Sequence, residues 1–152
     1  MVKVITEIEI NAAIDVCFDL ARNIDVHTQT VWRHTKERAV AGTTTGMINE
    51  GETVTFQATH FLIRQKLQSK ITAYHRPFLF VDEMMYGAFK RLRHEHDFID
   101  LGNRTLMRDT LVFEAPLGIL GWLAERLVLQ HYMKRFLMHR NENLKRLAES
   151  NP

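Results

Sequence analysis

Five polar residues carry most of the chemistry this chain could perform: His60, Glu83, His94, His96 and Asp109. His94 and His96 are two apart in a stretch of strand-like alternation, so both rings project from one face, with Phe98 beside them. A turn over Asp100-Leu101-Gly102-Asn103 that sets Ile99 opposite Arg104 would pair Phe98 with Thr105, His96 with Met107 and His94 with Asp109. An imidazole would then face a carboxylate across adjacent strands, on the face that carries Met107, Leu111 and Phe113. Buried there, the couple would share a charge-assisted hydrogen bond worth roughly 1.5–3 kcal/mol. A one-residue slip of register would send the two groups to opposite faces.

Four kinds of chemistry suit that set. The pair can simply stiffen the sheet, or the histidines can lie on a solvent face. It can anchor the polar end of a ligand in an otherwise apolar pocket. It can act as an acid–base couple, with a histidine of near-neutral pKa oriented by Asp109. His-x-His beside a carboxylate is also a metal-ligand pattern on β-barrels, but the further histidine motif of such barrels is missing, so no metal and no other cofactor is expected.

Other features point to packing or solvation. Gly42-Thr43-Thr44-Thr45-Gly46 lacks the lysine of a phosphate loop and reads as a turn. Lys90, Arg91 and Arg93 form a short basic run that suits a solvated strand face better than a nucleic-acid patch. Cys17 falls on the apolar side of a short helix and is expected in the core. Arg126 and Arg140 share a helical face with Trp122 and Met133, and either snorkel to its edges or reach an acidic ligand group.

The elements that must position these residues follow from periodicity. Val2 to Ile10 alternates as a strand, Asn11 can cap a short helix through Ala21, and a second short helix can start near Asp25. Gly42, Gly46 and Gly51 punctuate a short strand and turns. Segments at 52–63, 66–74, 78–86, 89–99 and 104–114 alternate as strands with connections short enough to demand antiparallel neighbours. From Gly118 to Glu149 the period changes to helical, and Trp122, Leu129, Met133, Phe136, Leu137, Leu144 and Leu147 line one face. That stripe needs cover, and the sheet is its only candidate. The expectation is an α+β fold in which a curved antiparallel sheet of about seven strands wraps a long C-terminal helix, with two short helices after the first strand.

Composition narrows the class. The chain has 152 residues, 45% of them hydrophobic and 25% charged, which suits one soluble domain over residues 1–152. A formal charge of +2 argues against a nucleic-acid partner, and the short apolar runs argue against stable membrane insertion. Without an apolar leader and with one cysteine, a cytoplasmic location is expected.

Several local signals, spread over nearly the whole chain, resemble one superfamily. They are Ala21-Arg22-Asn23-Ile24-Asp25-Val26-His27, the run from Gly51 to Phe61, the run from Pro77 to Met84, Gly87-Ala88-Phe89, His94-Glu95-His96-Asp97-Phe98, Thr105-Leu106-Met107-Arg108-Asp109 and Pro116-Leu117-Gly118-Ile119-Leu120-Gly121. In this order they resemble the helix-grip superfamily called SRPBCC, which includes START domains, pollen-allergen-like proteins and polyketide cyclases, and within it bacterial ligand-binding proteins of unassigned role. One departure is Ala12-Ala13, where many relatives place a proline. The resemblance implies a cavity for a small hydrophobic or amphipathic molecule between sheet and helix, and does not choose between carrying the ligand and transforming it. Phe56, Ala58, Leu67, Ile71, Met85, Met107, Met133 and Phe136 are the expected walls; His60, Glu83, His94, His96 and Asp109 are the expected polar contacts, with Asp82 replacing Glu83 if the strand shifts by one. A binding protein is favoured over a cyclase- or dehydratase-type enzyme that uses a histidine–aspartate pair.

Overall fold

The structure, a computed structural model, describes residues 1–150. Strand β1 (Val2–Ile10) is followed by two short helices, α1 (Ile14–Ala21) and α2 (Ile24–Thr30), and a 3₁₀ turn over Arg33–Thr35. Then come β2 (Arg38–Gly42), β3 (Thr53–His60), β4 (Ile63–His75), β5 (Leu79–Tyr86), β6 (Arg91–Asp100) and β7 (Thr105–Glu114). One 33-residue helical stretch closes the chain: α3 (Gly118–Ala124), a π-helical turn (Glu125–Leu129) and α4 (Gln130–Ser150). The strands form one antiparallel sheet in the order β1-β7-β6-β5-β4-β3-β2, a meander that brings β1 back beside the last strand. This is the helix-grip arrangement.

The helices start where local chemistry allows. Asn23 caps α2, its side chain accepting from the Val26 amide at 3.1 Å. Helix α1 has no such cap: Ala13 occupies the position, and Asn11 instead gives its backbone N–H to Glu149 of α4 at 2.8 Å. The expected cap is therefore replaced by a tie between the two ends of the chain.

Two clusters make the core. One gathers Ile10, Phe18, Ile24, Phe80, Phe98, Met107 and Leu144 at the junction of α1, α4 and the sheet. Phe18 stands at its centre, with Tyr74, Phe80 and Phe98 meeting its ring edge-on at centroid distances of 5.3–5.5 Å. Cys17 is buried in this cluster, and burial pushes its thiol pKa up, as expected of a core residue. The smaller cluster joins Val4, Leu111 and Phe113 to Leu137 of α4.

The terminal helix departs from the expected stripe at one point. A π turn holds one residue more than an α turn, so it rotates everything upstream by about 100° relative to the face downstream. Leu137 and Leu144 are buried and Met133 and Phe136 face the sheet, but Trp122 is 50% exposed. In its place Gly121 and Glu125 turn inward, where Glu125 accepts the Ala115 amide at 2.7 Å. That amide holds the Glu125 carboxyl below its ordinary value. A Cβ on Gly121 would fall on the backbone carbonyl of Pro116. Gly121→Ala is expected to lower stability by about 1–3 kcal/mol, the usual range for forcing an extra methyl into a filled space, read as a lower denaturation midpoint. An unchanged midpoint would mean that α3 is not seated on Pro116.

Candidate functional site

Between the sheet and the helical stretch lies a cavity of about 480 Å³. Its walls come from alternate residues of the central strands: Val54, Phe56 and Ala58 from β3, Leu67, Ser69 and Ile71 from β4, and Phe80 and Asp82 from β5. Leu129, Met133, Phe136 and Leu137 form the roof. Phe61, Ile63, Ala88 and Pro116 line the cavity and are also exposed, so the mouth opens between the β3–β4 turn, the β5–β6 loop and the start of α3.

The polar wall is built around Asp109. Its carboxylate has no exposed surface, and burial alone would favour the neutral acid. His94 Nε2 meets its Oδ1 at 2.7 Å, and His96 Nδ1 approaches the same oxygen at 3.0 Å. Asn141 of α4 donates to Oδ2 at 2.7 Å, and Arg140 Nη1 stands 3.5 Å from Oδ1. The His94 hydrogen bond, the close approach of His96 and nearby positive charge outweigh the burial and hold the carboxyl well below its usual range. On its other side, His96 Nε2 meets Asp82 Oδ2 at 2.8 Å. The Asp82 carboxyl is likewise lowered: burial opposes ionisation, but the hydrogen bond from His96 and its charge outweigh it.

The two histidines shift in opposite directions because their partners differ. Burial works against the cation in both. His96, held between two carboxylates and stacked 4.1 Å from the Phe80 ring, has its pKa raised. His94, with one carboxylate and the His96 ring 3.8 Å away, has its pKa lowered. The surroundings thus favour the imidazolium form of His96, between the two carboxylates, and the neutral form of His94. A neutral His94 that donates through Nε2 to Asp109 carries its lone pair on Nδ1, which makes no hydrogen bond among the described residues.

Several expected positions move. The β6–β7 register sets Asp100 opposite Thr105, so His96 faces Asp109 and His94 faces Leu111, two residues from the expected pairing. Asp100 stays in the ladder and accepts the Gly102 amide at 2.8 Å, leaving Leu101 to Arg104 as the turn. A shift of two keeps every side chain on its face, so His94 still reaches Asp109 as a diagonal neighbour. Glu83 does not face the cavity. It pairs with Arg93 on the other face, 3.9 Å from its Nε, and Asp82 takes the inward position. Met85 shares the alternation of Glu83 and is 47% exposed, outside the cavity. Met107 is fully buried in the core cluster and Asp109 sits behind the cavity wall, so neither lines it. Phe56, Ala58, His60, Leu67, Ile71, His94, His96, Met133 and Phe136 do line it. His60 meets the Tyr132 hydroxyl at 2.7 Å, and burial lowers its pKa.

Arg140 reaches the cavity wall and is 2% exposed, while Arg126 stays outside, its guanidinium 4.2 Å over the Trp122 ring. Arg140 donates to the Ala21 carbonyl and the Asn141 side chain, and its Nε is buried without a partner. Asn141 is not among the expected residues. The signal that could have found it is a polar residue on the Leu137/Leu144 face of the helix. Asp82, His94 and His96 also place donor atoms within 4.8 Å of one another, a geometry that could gather a metal ion only by exchanging the present hydrogen bonds for coordination.

His96 contributes stability that is complete below the ordinary histidine value and fades as pH rises through its raised folded value. Asp82 and Asp109 contribute stability that is complete above the ordinary carboxylate value and fades as pH falls toward their lowered values. His94 has the opposite sense to His96, costing stability as pH falls below about 6.5. NMR titration of the imidazoles should therefore find His94 below and His96 above about 6.5. Asp109→Asn should bring His96 down and cost about 3–5 kcal/mol on chemical denaturation, the usual cost of leaving buried charges unanswered. Two histidines that both titrate at the ordinary value would contradict the assignment.

No protein-family model matches the sequence, and a search of curated proteins finds no match. Solved structures do match. TTHA0849 from Thermus thermophilus superposes with a TM-score of 0.79 at 16% identity, covering 98% of both chains. A START superfamily protein from Mycobacterium smegmatis gives 0.75 at 14%, covering 99% of both. Ginseng major latex-like protein 151 from Panax ginseng gives 0.67 at 13%, covering 97% of both. At these identities the likeness is one of fold. The chain has the SRPBCC-type helix-grip fold of the START and latex-like proteins over nearly its whole length.

Proposed function

We propose that the chain binds one small hydrophobic or amphipathic molecule between its sheet and terminal helix. The observation that carries this reading is the cavity itself: about 480 Å³, within the range of small-molecule sites, with largely apolar walls and a few buried polar groups. Its fold, shared with a START superfamily protein, supports ligand binding in general. Arg140 is a buried guanidinium on the cavity wall, and its positive charge favours a ligand with an electron-rich polar end. The reading calls for no cofactor. No helix among the described residues is long and apolar enough to cross a membrane.

Native mass spectrometry of the protein purified from cells should find a co-purified small molecule. Ala58→Phe fills the cavity from the β3 wall and should weaken binding of that molecule at least about tenfold, a loss of about 1.4 kcal/mol, while circular dichroism stays unchanged. A protein that emerges empty and takes up no apolar probe, or a filled cavity that binds as before, would overturn the reading.

A second reading rests on His94. Neutral, oriented by Asp109 and with a free lone pair on Nδ1, it has the form of a general base for an enzyme of the cyclase or dehydratase type, which would move a proton next to a carbonyl. Turnover of the co-purified molecule with a bell-shaped pH profile, abolished by His94→Asn with folding intact, would favour it over binding alone.

A further inference from the structure

The mouth of the cavity is edged by apolar side chains that the fold does not cover. His60 pairs with Ile63, so Phe61 and Leu62 are the central residues of a tight hairpin turn, with φ of 51° and 66°. Such a turn ordinarily takes Asn-Gly, because left-handed backbone is strained for residues with large side chains. Here it carries two large apolar residues. Phe61 leans on the Tyr132 ring of α4 at 4.5 Å, but Leu62 is 98% exposed and Ile63 beside it is exposed too. The start of α3, another edge of the mouth, repeats the pattern. Leu117 and Ile119 are 78% and 80% exposed, and Leu120, Leu123 and Leu127 after them are also exposed. Single exposed apolar residues are ordinary, but two groups of them on the edges of one opening mark a surface that something else covers.

The charge around these edges selects the partner. Segments 61–66, 85–92 and 116–138 frame the mouth, and their one acid, Glu125, is buried. Lys90 and Arg126 are paired with Glu114 and Glu125, while Arg64, Lys66, Arg91, Lys134 and Arg135 stay exposed with no ion pair among the described residues. A chain with a formal charge of only +2 thus sets unanswered positive charge beside exposed apolar side chains. That combination fits the headgroup region of an anionic bilayer, which admits apolar side chains singly and answers the charge with phosphate. A protein partner would have to seal the opening between the two edges, and a fluid bilayer does not. We infer that this mouth docks reversibly on an anionic lipid surface, with Leu62, Ile119 and Leu120 entering the headgroup region and the five free basic side chains against its phosphates. The cavity then opens toward the bilayer, and its ligand passes between the two without crossing water. The docking stands on the mouth alone, and the exchange rests on the ligand-binding reading above.

The test is sedimentation of the full chain with vesicles of phosphatidylcholine, either pure or with about 30% phosphatidylglycerol. At about 0.1 M salt the protein should bind the mixed vesicles at least about tenfold more tightly than the pure ones, and about 1 M salt should remove most of that gain. Leu62→Asp combined with Leu120→Asp, both at exposed positions, should weaken binding at least about tenfold with circular dichroism unchanged. Lys134→Glu with Arg135→Glu should abolish the preference for the anionic vesicles. Ile5→Asp, at an exposed apolar position on the outer face of β1, should bind as wild type does. Binding to neither vesicle, equal binding to both, or a double aspartate variant that binds as before would overturn the docking. So would a chain that ignores vesicles but forms a dimer dispersed by the same two substitutions, since the mouth would then be an interface between copies. None of these outcomes touches the cavity reading, which is tested separately by uptake of a small molecule in the absence of lipid.

Discussion

A carboxylate with no solvent contact has to be answered by its surroundings, and Asp109 is answered from β6 and from α4. His94 and His96 reach it from β6, Asn141 and Arg140 from α4, and Asn141 also donates to Thr6 of β1 at 3.3 Å. Strand, helix and neighbouring strand are therefore joined at one oxygen pair. Hydrophobic contact would let α4 roll or slide on the sheet with modest loss, since apolar burial has no direction. The charged network has direction. It is also the boundary between a solid half of the interior, packed around Phe18 and Met107, and a hollow half lined by Phe56, Leu67 and Met133.

The hollow follows from the proportions of the fold. A single helix cannot cover the whole width of a seven-stranded curved sheet, and here it packs closely against β1 and meets β3 through long side chains such as the Tyr132–His60 pair. Most of the residues that face the gap are apolar. Polar groups appear among them where a backbone or a helix can hold them still. His96 is enclosed by two carboxylates, while His94, held by one, lies on the cavity side of Asp109.

Much of this is legible in the chain. The alternation of β3, β4 and β6 places Phe56, Ala58, Leu67, Ile71, His94 and His96 on faces that the structure turns toward the cavity. Period alone cannot set the pairing of two strands, so the expected β6–β7 register lies two residues away, and the side chains keep their faces because two is the period of the strand. The irregular pairing of β4 with β5, bulged between Ile71 and Ala73, hides whether Asp82 or Glu83 turns inward. The π turn has no signature in the hydrophobic pattern, which is why the period groups Trp122 with Leu129. Long-range polar contacts such as Asn141 with Asp109 lie beyond any local reading, because they depend on how far a helix 32 residues away lies over the sheet.

Arg140 and Asn141 are neighbours in the chain, followed by Glu142. Advancing the helix by a single position would turn its side chains by about 100° and bring an acid toward the place Asn141 now occupies. Asp109 would then confront a like charge instead of an amide. The present seating of α4 brings an amide and a guanidinium to Asp109, so the triplet works as a key that admits the roof of the cavity at this setting and rejects the next one along.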